Sequence, residues 1–310
     1  MDKIAFFHMN QLGDLLFSLP VIKAAREEVS GARLISIVKP GLSPLLLSSG
    51  LVDEVINKDQ SMTALIKEVK AKQFDKAVMF SESPKSLISA YFSKIKIREG
   101  FKTASLSFLL TKKTQRTGVP SLANNKRLGE NFGLKNVKTD YTEILKIPKE
   151  NLDNANLWFS QNNLNPEKIV VISPGASAKR QDKCVLPKVW AGAVDELAKN
   201  GIVCVFSGAK WEENSLSAIS ELCESRPKVY AAPNILDSAA FLKTARMFSG
   251  IDSGAMHLAA ALGTKCLGIF GHTDPNQVGP MPLSKNFVLK KESVAEITSN
   301  DIAKEILKIY

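Results

Sequence analysis

The run Lys3 to Phe7 is dominated by apolar residues, a polar turn follows from His8 to Gly13, and apolar positions then recur at helical spacing from about Asp14 to Glu28. A short apolar run bounded by turn residues predicts a buried strand, and the 3.6-residue period after it predicts a helix. The same signals continue along the first half. They give strands over Arg33 to Lys39, Asp53 to Ile56, Ala77 to Phe80 and Ile95 to Ile97, with helices over Met62 to Lys72 and Pro84 to Ser93. Asn151 to Gln161 reads as an amphipathic helix, and the apolar strand Lys168 to Ser173 restarts the alternation. Further strands are expected over Ile202 to Ser207, Val229 to Ala231, Met247 to Ile251, Lys265 to Ile269 and Asn286 to Leu289, and a closing helix over Ser299 to Tyr310. Strands alternating with helices imply parallel, doubly wound sheets of the α/β class. The expected division is into domains 1–155 and 156–310, with the last helix, 299–310, packing back toward the N-terminal domain.

Composition narrows this picture by exclusion. A length of 310 residues suits two domains, and 45% hydrophobic with 23% charged residues is the balance of a folded globular chain. No run approaches the roughly 18 to 20 apolar residues of a membrane span. The first residues lead straight into a strand, so no signal peptide is read. Cys184, Cys204, Cys223 and Cys266 lack any paired CxxC spacing, which points to reduced thiols and a cytoplasmic protein.

Charge adds an asymmetry. Residues 1–153 hold 24 Lys and Arg against 16 Asp and Glu, the remainder 17 against 15, and Pro84 to Lys138 alone holds 12 basic residues against Glu99 and Glu130. Such a field attracts a phosphorylated substrate, an anionic membrane surface or nucleic acid, and a merely solvated basic face is the plainer alternative. Nucleic acid is disfavoured, because Tyr91, Phe92, Phe101 and Phe108 sit in apolar runs that form no RNA-binding signature.

Four segments lie where predicted strands end, the place where open α/β sheets bind ligands. In Asn10-Gln11-Leu12-Gly13-Asp14 the turn sets Asp14 at a helix start, either as a functional carboxylate or as an acid complementing the helix dipole for about 0.3 to 1 kcal/mol. Ser173 to Arg180, with Lys183 beyond, combines a tight turn, hydroxyls and cations that suit phosphate oxygens, although the Walker pattern is absent and an ordinary basic loop is equally consistent. Ser207 to Glu213 offers Glu212 and Glu213 to ribose hydroxyls or to a helix N-terminus. Gly250 to Gly263 runs from strand through Asp252, Ser253 and Gly254 into an Ala-rich helix carrying His257, where small residues let a diphosphate reach free N–H groups. Asp252 as a simple cap is the competing reading. His8, His257 and His272 show no metal spacing, no GxSxG elbow exists, and no GxGxxG follows the first strand. Zinc hydrolase, serine esterase and dehydrogenase readings therefore fall away.

Taken in order, QLGDLLFSLPVIKAAR at 11–26, SPGASAKRQDK at 173–183 and DSGAMHLAAALGTKCLGIFGHTDPNQVGP at 252–280 resemble glycosyltransferase family 9, the bacterial heptosyltransferases of lipopolysaccharide core assembly. The resemblance implies a GT-B architecture of two Rossmann-like domains facing across a cleft, with acceptor on the first and sugar nucleotide on the second. It implies inverting transfer without a metal or other cofactor, the nucleotide-diphosphate sugar, ADP-heptose, being a co-substrate. By the same resemblance Asp14 matches the general base and Lys183 the lysine at the diphosphate, with Lys179 and Arg180 as substitutes for it. Ser177, Asp252, Ser253, Gly254, His257, Thr273 and Asp274 fall on the donor side, with Glu212 or Glu213 at the ribose. Gly13, Lys85, Arg98, Lys112, Lys113 and Arg116 are the acceptor-side candidates. Partners would be an anionic lipopolysaccharide core and, peripherally, the cytoplasmic face of the inner membrane, with no nucleic acid. His272 stands where the family has proline, and Lys183 is followed by Cys184-Val185-Leu186 where the family reads Arg-Trp-Pro. A GT-B sugar-nucleotide epimerase and a non-catalytic nucleotide-sugar binder are the rival readings.

Overall fold

The computed structural model describes residues 2–118, 120–175 and 181–310. The chain divides into two compact units, Met1–Lys146 and Ile147–Tyr310. Unit 1 runs β1 (Lys3–Phe7), α1 (Leu12–Glu28), β2 (Arg33–Val38), α2 (Ser43–Ser48), β3 (Glu54–Asn57), α3 (Met62–Lys72), β4 (Lys76–Met79), α4 (Pro84–Phe92), β5 (Ile97–Phe101), β6 (Lys112–Thr114) and α5 (Ser121–Phe132). Its sheet has the order β3-β2-β1-β4-β5-β6, every pair parallel. Because helices cover both faces of a parallel sheet, its central strands are buried on both sides. Ile4, Ala5, Phe6 and Phe7 of β1 accordingly have no solvent exposure.

Unit 2 runs α6 (Lys149–Gln161), β7 (Ile169–Ser173), α7 (Pro187–Lys199), β8 (Val203–Ala209), α8 (Glu213–Leu222), β9 (Lys228–Ala232), α9 (Ile235–Thr244), β10 (Met247–Ile251), α10 (Gly254–Ala261), β11 (Lys265–Phe270), α11 (Pro275–Val278), β12 (Phe287–Lys290) and α12 (Ser299–Ile309). The order β12-β11-β10-β7-β8-β9, again all parallel, repeats the unit 1 pattern. Helix α12 buries Ile302, Ile306 and Ile309 within the unit 2 core and packs on α7. Its start is fixed by Thr298 and Asp301, each side chain bonding the other's backbone N–H.

Each sheet has one switch point, where successive crossovers leave in opposite directions: β1/β4 in unit 1 and β7/β10 in unit 2. The crevice at the carboxyl ends of those strands is where such sheets hold ligands.

Two parts of unit 1 depart from the sequence expectation. The strand expected over Ile95 to Ile97 is β5, Ile97–Phe101, and Ile95 is instead a core residue beneath the end of α4. The charged Glu99, 1% exposed, broke the apolar run that would have revealed the true strand. Strand β6 is short and carries two lysines, and α5 turns Asn124, Asn125 and Gly129 inward, so neither shows an apolar period. The inward polar groups are satisfied locally: Asn125 Nδ2 donates to the Phe17 carbonyl at 3.0 Å, and Asn124 Nδ2 to the Thr117 carbonyl at 3.0 Å.

Candidate active site

In unit 1 the chain leaves β1 at the switch point and enters α1 through an extended Gln11, which sets Asp14 in the first helical turn. Gly13 beside it is buried. Burial raises the Asp14 pKa above the ordinary aspartate value, outweighing the opposite pull of the Arg116 and Lys58 charges. Arg116 is aimed by its ion pair with Glu82 at 2.9 Å and by the Phe101 ring, whose centroid lies 4.4 Å from the guanidinium carbon.

Beneath Asp14 lies a polar network that the sequence reading did not single out. His8, the residue after β1, is fully buried, with Nε2 2.9 Å from Ser36 Oγ and Nδ1 3.2 Å from Ser18 Oγ. Ser18 spends its one proton on the Leu15 carbonyl at 2.6 Å. The Nδ1–H of His8 therefore donates to Ser18, and Nε2 accepts from Ser36. Burial, aided by the Lys58 charge, holds this imidazole neutral with a pKa near 3. Lys58, just past β3, donates to the His8 carbonyl and, at 3.2 Å, to Ser81 Oγ just past β4. Its burial depresses its pKa to about 8. The signal that could have found both residues is their position, polar and first beyond an apolar strand.

The basic acceptor-side candidates separate. Lys85 Nζ is committed to the carbonyls of Lys58 and Gln60 at 2.9 and 2.6 Å. Arg98, the second residue of β5, donates through Nε to the Leu109 carbonyl at 2.7 Å, and Lys112 opens the edge strand β6 with Lys113 beside it. In register Arg98 is level with Ala5 and Lys112 with Phe6, two and three strands away from β1 across the sheet, and of the five cations only Arg116 acts on the Asp14 carboxylate.

In unit 2 the switch point brings together the segments after β7 and β10. Asp252 follows β10, is 6% exposed, and its N–H donates to the Ile269 carbonyl at 3.1 Å. Its carboxylate forms an ion pair with Lys183 and accepts from Thr273 Oγ1 at 2.9 Å. His257 Nε2 lies 3.9 Å from the other carboxylate oxygen, and burial pushes this imidazole down to a pKa of about 4. Ser253 holds the N-cap position of α10 in extended conformation with no side-chain cap bond, and Gly254 and Ala255 open the helix, so the first N–H groups carry no bulky side chain. Ser177, Lys179 and Arg180 lie outside the described residues.

Glu212 accepts from the Ala209 N–H at 2.8 Å, and burial raises its pKa. Its carboxylate occupies the space that a Cβ at Gly175 or Gly208 would need, so a larger residue at either position would displace the Glu212 carboxylate. Glu213 pairs instead with Lys210 at 2.6 Å on the surface, and Asp274 caps α11 through the Asn276 N–H at 2.9 Å. His272 Nε2 is 3.3 Å from Asp182. The unit 2 site thus joins a buried carboxylate, a cation it holds, a hydroxyl, a neutral imidazole and a helix N-terminus, an assembly able to receive an anionic group once Lys183 leaves Asp252.

The family model for glycosyltransferase family 9 (heptosyltransferase) matches residues 62–306. Lipopolysaccharide heptosyltransferase 3 of Escherichia coli is 23% identical over 287 residues, spanning 84% of this chain and 81% of the relative. The solved family 9 glycosyltransferase of Veillonella parvula superposes with a TM-score of 0.85 at 17% identity, covering 99% of this chain and 95% of that one. The structure of E. coli heptosyltransferase WaaC with ADP gives 0.80 at 18% identity, covering 99% of this chain and 100% of that one. The structural likeness establishes a GT-B fold of two Rossmann-like units, and the family match, extending over most of the sequence, makes this chain a glycosyltransferase of family 9.

Proposed function

We propose that this glycosyltransferase moves a heptose from ADP-heptose to an anionic inner-core acceptor of lipopolysaccharide, with inversion at the anomeric carbon, and that it works at the cytoplasmic face of the inner membrane. The observation that carries the reading is Asp14: a half-buried carboxylate in the first turn of α1, at the unit 1 switch point, with a raised pKa. A base that must take a hydroxyl proton near neutral pH is served by such a value. In the proposed step Asp14 accepts the acceptor's hydroxyl proton as that oxygen bonds to the anomeric carbon. The bond from that carbon to the diphosphate breaks on the opposite face, and its electron pair leaves with the nucleotide.

The leaving diphosphate gains negative charge, which preorganised cations and N–H dipoles can stabilise. In unit 2 these are Lys183 and the first turn of α10, with Asp252, Thr273 and His257 positioning them, and Glu212 is assigned to a ribose hydroxyl. Relatives named as heptosyltransferases and a similar structure solved with ADP support the choice of an adenine nucleotide.

The test is incubation of the protein with ADP-, GDP- and UDP-sugars and deacylated lipopolysaccharide core, followed by mass spectrometry. One heptose added to the core from ADP-heptose alone is the expected product. Turnover of donor without acceptor would point to an epimerase, and donor binding with no product from any pair to a non-catalytic binder.

A further inference from the structure

We propose that the C-terminal end of α4, the turn after it and the neighbouring 3-10 turn Ser107–Leu109 form the surface by which unit 1 docks on an anionic lipid bilayer. The proposal deepens the functional reading above and rests on it only for the acceptor being borne by a lipid. Three large rings stand in solvent: Tyr91 is 46% exposed, Phe92 58% and Phe108 70%. Clusters of exposed apolar rings are uncommon on soluble proteins and mark contact surfaces.

The rings are held rather than loose. Tyr91 and Phe92 meet edge to face at 5.3 Å. The Arg98 guanidinium lies over the Tyr91 ring, and it donates to the carbonyls of Leu109 and Ile95, pinning the helix end, the turn and the 3-10 turn to one another. Leu106 and Leu109 pack inward against the core of Leu87, Ala90 and Ile95, whereas Phe108 between them points out. Helix α4 ends with the Lys94 N–H bonded to the Tyr91 carbonyl and the Ile95 N–H to that of Ala90. Lys94 takes a left-handed conformation there, at φ 60°, a position that favours glycine.

The charge around the rings selects the partner. A surface groove of about 370 Å³ is lined by Tyr91, Phe92, Lys94, Ile95, Lys96 and Arg98. Its cations are Lys94, Lys96 and Arg98, and no acid is among its lining residues. Protein interfaces are depleted in lysine at their cores. Aromatic rings ringed by Lys and Arg match instead the headgroup region of an anionic bilayer. The surface lies at the amino end of the unit 1 sheet, roughly 15 to 20 Å along the strands from Asp14, so docking and proton transfer use separate residues.

The test is cosedimentation with phosphatidylcholine vesicles with and without phosphatidylglycerol. The protein should bind the anionic vesicles, less so at high salt, and not the neutral ones. Lys94→Gln with Lys96→Gln should weaken binding on the order of 20-fold, at about fivefold per lysine near a charged bilayer, and Phe92→Ser with Phe108→Ser should abolish it. Lys199→Gln with Lys228→Gln, the same charge change on unit 2, should leave it intact. The patch variants should transfer sugar normally to deacylated, water-soluble core and lose rate only on acceptor embedded in vesicles, and the unit 2 variant should lose rate on neither. Failure of the unaltered protein to bind anionic vesicles, or normal binding by the patch variants, would overturn the proposal while leaving transfer to soluble acceptor untouched. So would a dimer in light scattering that Phe92→Ser with Phe108→Ser makes monomeric while vesicle binding persists, which would make the surface a contact between copies. Absence of transfer to soluble core by the unaltered protein would refute the functional reading and leave vesicle binding as a separate result.

Discussion

Asp14 stands between two opposed effects. Burial favours its neutral acid, Arg116 and Lys58 favour the carboxylate, and burial prevails. Because the base must begin unprotonated, activity should fall with decreasing pH along a limb displaced above the ordinary aspartate range. Arg116→Gln removes one of the cations and should move that limb to still higher pH. A pH–rate profile measures both, and a limb at the ordinary aspartate value in the native protein would remove Asp14 from the role. Lys58 yields a stability signature of known sign. Its folded pKa is about 8 against an ordinary 10.5, so between those values the unfolded chain binds a proton that the folded chain does not. Stability therefore rises with pH across that window. At about 1.4 kcal/mol per pH unit, the native protein should gain on the order of 2 to 3 kcal/mol over Lys58→Met between pH 8 and pH 10. Urea denaturation at the two pH values checks this, and parallel curves would mean that Lys58 is not held as a buried cation.

The element scale shows what the sequence could and could not disclose. Strands buried on both faces leave continuous apolar runs, so β1, β7 and β10 were legible, as were the small and acidic residues that follow them. Strand β6 and helix α5 were hidden because lysines, asparagines and a glycine occupy positions that carry an apolar period elsewhere. At the sites, Asp14 and Asp252 were visible as acids opening helices. The network of His8, Ser18, Ser36 and Lys58 was not, since it is assembled from residues far apart in sequence by strands that only the sheet order brings together. The turn after β7 supplies a local test. A Cβ at Gly175 would collide with the Glu212 carboxylate, and that carboxylate, at the end of a flexible side chain, can give way. Gly175→Ala should therefore raise KM for the donor severalfold while shifting the melting temperature little. An unchanged donor KM would separate Glu212 from donor recognition.

At the scale of the whole molecule, one strand order is used twice with different chemistry at each switch point. Unit 1 sets a carboxylate of raised pKa among cations, and unit 2 sets a paired lysine at a helix N-terminus. The excess positive charge is concentrated in unit 1, where an anionic acceptor is proposed to bind, and the second half of the chain is nearly balanced. The central claim is that Asp14 deprotonates the acceptor while the other unit holds the donor. Its most direct test is Asp14→Asn, assayed for heptose transfer by mass spectrometry and for ADP-heptose binding by calorimetry. A positioned base contributes about 10² to 10⁴ in rate, so transfer should fall by that factor with donor affinity unchanged. Transfer at the native rate, or loss of donor binding together with activity, would contradict it.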